Sequence, residues 1–245
     1  MLGIASAVPA RYAPGELPLL GAVLAATAVM LRFIDLRPWS DVGLGRAAGG
    51  VRLLGAGAAM GGAPIAAACA GLFVAGWLRM APGVPGSSLA AALTVTGFLL
   101  PAALYEELLC RGYLLTAVRD AVGTWGAVVL TSVAFGLLHL MNAGATAESV
   151  LLVTLAGIFL AAVRVVYDSL YAAWAAHVAW NWVMAVPLHA AVSGQQFASP
   201  DYRTVSAGPA WITGGGWGPE GGLAAGLGMV AALAYLQSRH RRGES

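Results

Sequence analysis

The chain has 245 residues, 59% hydrophobic and only 10% charged, with a mean hydropathy of +0.78 and a net charge of +2. Soluble domains carry roughly 25% charged residues, so this composition excludes an ordinary water-soluble globule and reads as an integral membrane protein. No basic block suggests a nucleic-acid partner. The basic side chains are all Arg, with no Lys. Together with abundant Ala and Gly, that usage is associated with GC-rich bacterial genomes, and hence with a bacterial cytoplasmic membrane.

Taken in chain order, seven apolar stretches stand out, at about 17–34, 54–78, 88–118, 124–141, 148–166, 168–191 and 221–238. The expectation is an all-α polytopic bundle of about seven transmembrane helices, forming a single membrane domain over 1–245. The residues before the first span lack a charged region followed by an apolar core, so no cleaved signal is read there. Between the first two spans, Leu36–Arg52 mixes Trp, Arg and Gly, which suits either an interfacial helix or a connecting loop anchored by Trp39. The third stretch is long for one crossing and holds Pro101, where a kink would free backbone carbonyls. The segment of about 195–222 reads as an outside Gly-rich loop, and its GGGWGPEGG run as flexible. Cys69 and Cys110 fall in apolar helices and imply no disulfide framework.

Arginine placement sets the expected orientation. With seven spans and the N-terminus outside, ten of the 13 basic residues fall inside: Arg32, Arg37, Arg46, Arg52, Arg111, Arg119, Arg164, Arg239, Arg241 and Arg242. Only Arg11, Arg79 and Arg203 fall outside. The C-terminus is then inside.

Charged side chains at bilayer depth cost about 2.5–3.5 kcal/mol each on insertion scales, so they belong in a protein or water-lined interior. Glu106, Glu107 and Arg111 all lie in the third stretch. Glu107 and Arg111 are one helical turn apart and can pair. Glu106 is rotated by about 100° from Glu107 and faces another neighbour, which leaves it free for acid–base work. In the fourth stretch Phe135 and His139 share a face, with Asn142 beyond them. His177 and Asn181 repeat that spacing in the sixth and can donate together to one oxygen. Peptide hydrolysis needs a base for water, donors for an oxyanion and a proton for the leaving amine. This residue set can supply all three.

Glu106-Glu107-Leu108-Leu109-Cys110-Arg111, Phe135-Gly136-Leu137-Leu138-His139 and His177-Val178-Ala179-Trp180-Asn181 resemble the motifs of the CPBP family. These are intramembrane glutamic proteases related to the CaaX-processing endopeptidase of prenylated proteins. The resemblance covers about 98–185, with Trp39–Leu44 a looser echo. It implies a helical bundle whose site opens within the membrane. It further implies that Glu106 and His139 activate water, that His177 and Asn181 hold the oxyanion, and that Glu107 and Arg111 support them. No metal or other cofactor is expected. The expected partners are the lipid bilayer and a membrane-anchored protein or peptide, cut near its C-terminal tail.

Three other readings stay open at this point. Two His and two Glu could bind zinc, although no H-E-x-x-H is present. Cys110 could be a nucleophile, although an apolar-buried thiol is usually inert. Buried Glu, His and Arg also occur in non-enzymatic immunity factors, scaffolds and transporters. Outside the motifs, His189 reads as solvated and Glu148 as a first-turn acid of the fifth span. Trp174, Trp180 and Trp182 read as packing or interfacial residues before groove walls, and Tyr105 as a possible donor to a glutamate.

Overall fold

A computed structural model describes residues 13–243, with side chains from Glu16 onward. Residues 1–12, Arg11 among them, lie outside the described residues. The helices are α1 (Ala13–Val29), α2 (Val51–Val74), α3 (Ser88–Glu107), α4 (Leu115–Leu138), α5 (Ala147–Tyr167), α6 (Leu170–Ala185), the short α7 (Ala210–Thr213) and α8 (Leu223–Arg241). A π-helical segment, Leu108–Leu114, joins α3 to α4, and another, Met30–Ile34, extends α1.

The fold is mostly helical but not all-α. Strands β1 (Leu78–Pro82) and β2 (Tyr202–Ser206) pair antiparallel, with Leu78 opposite Ser206 and Pro82 opposite Tyr202. Loops outside the apolar helices have backbone groups to satisfy, and a two-stranded ladder satisfies them locally. Among the described residues, four elements are long and apolar enough to cross a bilayer: Glu16–Ile34, Val51–Val74, Ser88–Met141 and Ala147–Tyr167. The 54-residue Ser88–Met141 element unites the third and fourth predicted spans. It breaks at Gly123, whose φ of 76° and ψ of 170° leave the helical region at a cost only glycine avoids. The sixth predicted span corresponds to α6, only 16 residues long, and the seventh to α8, which ends in Arg239, His240 and Arg241. Neither meets the length and hydropathy of a crossing helix unaided.

Packing follows side-chain size. Helix α2 lies along α6, and a Cβ at Gly57 or Gly61 would come within 2.1 Å of the Ala172 carbonyl oxygen or 1.9 Å of that of Ala176. Small residues four apart on both helices permit this backbone approach, the usual means of helix association in lipid. Helix α5 is enclosed, with 61% of its apolar window buried, whereas only 11% of the α1 window is. The large apolar side chains left exposed on α1, among them Leu17, Leu19 and Leu24, suit a lipid-facing surface.

The connection between α1 and α2 is neither an interfacial helix nor a loose loop. Its turns and a short 3-10 segment, Arg46–Gly49, tuck beneath the bundle, and Val42 is fully buried. The Asp41 carbonyl accepts from Thr116 and from Arg164, the Gly43 carbonyl accepts from Leu170 N–H, and the Ala48 carbonyl accepts from Ser169. At Pro101, the Leu100 carbonyl accepts the Trp174 indole N–H at 3.0 Å, so a neighbouring helix occupies a carbonyl beside the proline.

Candidate active site

Glu106 and Glu107 end α3, Arg111 sits in the π-helical segment, Phe135 is near the end of α4, His139 opens the 3-10 turn that follows, and His177 and Asn181 ride on α6. Glu106 and His139 are 33 residues apart (139 − 106), about 50 Å along a straight helix at 1.5 Å per residue. Both nevertheless line one cavity of about 380 Å³. The chain therefore folds back between them, and the break at Gly123 lies midway.

Behind the cavity is a dry cluster. Glu107 and Arg111 are completely buried and paired, with Arg111 Nη1 donating to Glu107 Oε1 at 2.9 Å. The same oxygen lies 2.9 Å from His177 Nδ1. An ionised carboxylate can only accept, so His177 donates from Nδ1 and presents Nε2 to the cavity. Arg111 Nη2 donates to the Gly157 carbonyl at 3.3 Å, and its guanidinium stacks over the Phe135 ring at 4.0 Å. This aromatic face and the carboxylate together hold a cation out of water. Glu107 Oε2 and Arg111 Nε remain buried without a hydrogen-bond partner. Cys110 is buried in an apolar cluster with Phe135, Val153 and Trp217.

The cavity face differs in kind. The Glu106 side chain is 25% exposed, and its Oε2 lies 3.9 Å from His177 Nε2, too far for a direct hydrogen bond. Tyr105 donates its hydroxyl to Glu106 Oε1 at 3.3 Å, as one reading of the sequence allowed. The Phe135 and His139 rings pack at 4.7 Å, and His139 Nδ1 donates to the Phe135 carbonyl at 2.9 Å. That bond fixes the tautomer of a neutral His139 and leaves Nε2 as an acceptor. Asn181 and Asn142 complete the polar wall, and Asn142 donates to the Ser193 carbonyl at 3.0 Å. Thus Glu106, His139, His177, Asn181 and Asn142 converge on the cavity, while Glu107, Arg111 and Phe135 stand behind it. Among the described residues, no three His, Cys, Asp or Glu side chains are grouped as metal ligands.

Sequence reasoning missed two carboxylates here. Glu220 is buried and receives Ser193 N–H at 2.5 Å, the Ser193 hydroxyl at 2.7 Å and the Trp180 indole at 3.1 Å. The GGGWGPEGG run is therefore folded down, with Trp217, Pro219, Glu220 and Gly221 buried, and is not a flexible outside loop. The signal available was that Glu220 is the sole charged residue between Arg203 and Arg239. Glu16, just before the first predicted span, lines the same cavity as Glu106. His189, read as solvated, is buried, bonds the Tyr202 carbonyl at 2.7 Å and stacks on the Tyr202 ring at 4.7 Å. Trp182 donates to Thr96 at 3.0 Å, so with Trp174 and Trp180 it serves packing between elements.

All three motifs lie between α3 and α6, and a family model described as type II CAAX prenyl endopeptidase Rce1-like matches residues 87–183. The motif-bearing segment is Rce1-like. No curated protein and no solved structure matches the chain. The Rce1-like segment contains every residue singled out from the motifs. Glu16, Ser193 and Glu220 lie outside it, and Glu16 and Ser193 line the cavity, so part of its wall comes from chain that the family model does not reach.

Proposed function

We propose that this protein is an intramembrane endopeptidase that uses Glu106 and His139 to activate water. The observation that carries the reading is the convergence of Glu106, His139, His177 and Asn181, from three different helical elements, on one cavity beside a buried Glu107–Arg111 pair. The Rce1-like match supports the same class of chemistry. Glu106 and the His139 Nε2 lone pair each accept one proton of a water molecule, which turns an oxygen lone pair toward the scissile carbonyl. As that oxygen attacks, Glu106 takes the proton and later gives it to the leaving amine.

His177, as an imidazolium, donates from Nε2 to the developing oxyanion alongside the Asn181 amide. In that state Glu106, Glu107, Arg111 and His177 sum to zero charge, which suits a site removed from water. Glu107 holds His177 in this orientation. The substrate is a membrane-anchored protein cut near its C-terminal tail, and the enzyme sits in a bacterial cytoplasmic membrane with its N-terminus outside and C-terminus inside.

The test compares protein termini by mass spectrometry in cells lacking this chain and complemented with either wild type or Glu106→Gln. Termini that appear with wild type and vanish with Glu106→Gln are expected. Identical termini in all strains, with a phenotype still rescued by Glu106→Gln, would replace proteolysis by binding or immunity.

A further inference from the structure

Glu16 is a carboxylate for which the proposed reaction has no use. It lies in the first turn of α1, outside the matched segment, and lines the cavity across from the motif residues. Its Oε2 is out of solvent contact and has no hydrogen-bond partner. Tyr105, whose hydroxyl also belongs to the cavity lining, donates it to Glu106 Oε1. Glu16 and Glu106 line the same cavity, where like charges repel. Among the described residues no Arg lines the cavity, and the chain has no Lys.

A carboxylate oxygen out of solvent contact and without a donor is costly unless a cation or strong donor arrives to meet it. A free substrate carboxylate would add a third negative charge to Glu16 and Glu106 and be repelled. A guanidinium or ammonium group would find an acceptor already desolvated, and Glu106 would remain free for water. Resting on the proteolytic reading, we infer that Glu16 is the specificity-determining residue of this cavity and selects substrates with an Arg or Lys side chain beside the scissile bond.

Two measurements test this, one of them independent of catalysis. In detergent, octylguanidinium, octanoate and octanol are titrated against the full-length protein and followed by thermal shift. Octylguanidinium is expected to bind wild type about 10- to 100-fold more tightly than Glu16→Gln, the range for a hydrogen bond to a charged group. Octanoate should bind more weakly than octanol. Equal octylguanidinium affinity for wild type and Glu16→Gln, or octanoate the tightest ligand, overturns the inference.

In proteoliposomes, a randomised library of membrane-inserted peptides is cleaved by wild type, Glu16→Gln, Glu16→Arg and Glu106→Gln. The ratio of basic-flanked to neutral-flanked cuts should fall about 10-fold or more in Glu16→Gln and invert toward acidic flanks in Glu16→Arg. Cleavage by Glu106→Gln at the wild-type rate would remove Glu106 as the base, absence of cleavage by wild type would sink the proteolytic reading, and in either case the titration would still judge Glu16. Loss of cleavage in Glu106→Gln with an unchanged flank ratio in Glu16→Gln would sink this inference alone.

Discussion

Glu106 and Glu107 are neighbours in sequence with opposite surroundings. Glu107 is wholly buried, its Oε1 shared by Arg111 and His177. Glu106 is a quarter exposed, bonded by Tyr105 and separated by 3.9 Å from the nearest His177 nitrogen. The difference follows from one residue of helical rotation, about 100°. A carboxylate whose one oxygen is shared by two fixed donors is tied to orienting them. One facing an open cavity with a single neutral donor can take up and release a proton. In the proposed mechanism the buried side orients and the cavity side reacts.

The widest separation between the two sides comes from paired substitutions. Glu106→Gln should lower cleavage by about 10²- to 10⁴-fold, the usual worth of a general base, while the melting temperature in detergent barely moves. Arg111→Met should do the reverse in kind. Removing one partner of a buried ion pair leaves the other uncompensated, which costs about 3–5 kcal/mol of stability. Reduced yield and a lower melting temperature would be its first signs. A Glu106→Gln protein that unfolds, or an Arg111→Met protein as stable as wild type, would erase the distinction between the faces.

Much of the dry side was legible in the sequence, because helical spacing alone places Glu107 beside Arg111 and Phe135 beside His139. Both contacts are present. The three motif segments were also found, since strongly polar residues are conspicuous in apolar helices. The contact between His177 and Glu107 spans 70 residues and no local period encodes it. The same holds for Glu220, whose partners are 27 and 40 residues away. Its Gly-rich surroundings argued for a mobile loop, and only the buried carboxylate, satisfied by Ser193 and Trp180, reverses that. Seven spans were drawn from hydropathy, but hydropathy does not see that third and fourth form one helical run broken at Gly123.

Glu220→Gln sharpens the comparison from behind the cavity, at the partner of its lining residue Ser193. Glu220 accepts from Ser193 and Trp180, and Ser193 in turn accepts Asn142 beside His139. An amide in its place keeps the shape but turns a donor toward groups that also donate. The expected loss is about 1–3 kcal/mol of stability. It should come with a higher KM, because the Ser193 side of the cavity loosens while Glu106 and His139 are untouched. A change confined to kcat would instead place Glu220 in the chemistry.

The smallest effect comes from a second Arg–carboxylate pair, which isolates burial as the variable. Arg37 donates to Asp120 across 83 residues, joining the segment after α1 to the end of the third predicted span. The pairing matches Arg111–Glu107 in chemistry, but these side chains are 33% and 47% exposed. Water screens the attraction and competes for both groups, so Asp120→Asn should barely move the melting temperature. What remains should shrink further as salt rises from 50 mM to about 1 M, where the screening length falls to roughly 3 Å. Arg111→Met, by contrast, should keep its penalty across the same salt series. If both variants respond to salt alike, water reaches the Glu107–Arg111 pair, and burial no longer separates the glutamate that orients from the glutamate that reacts.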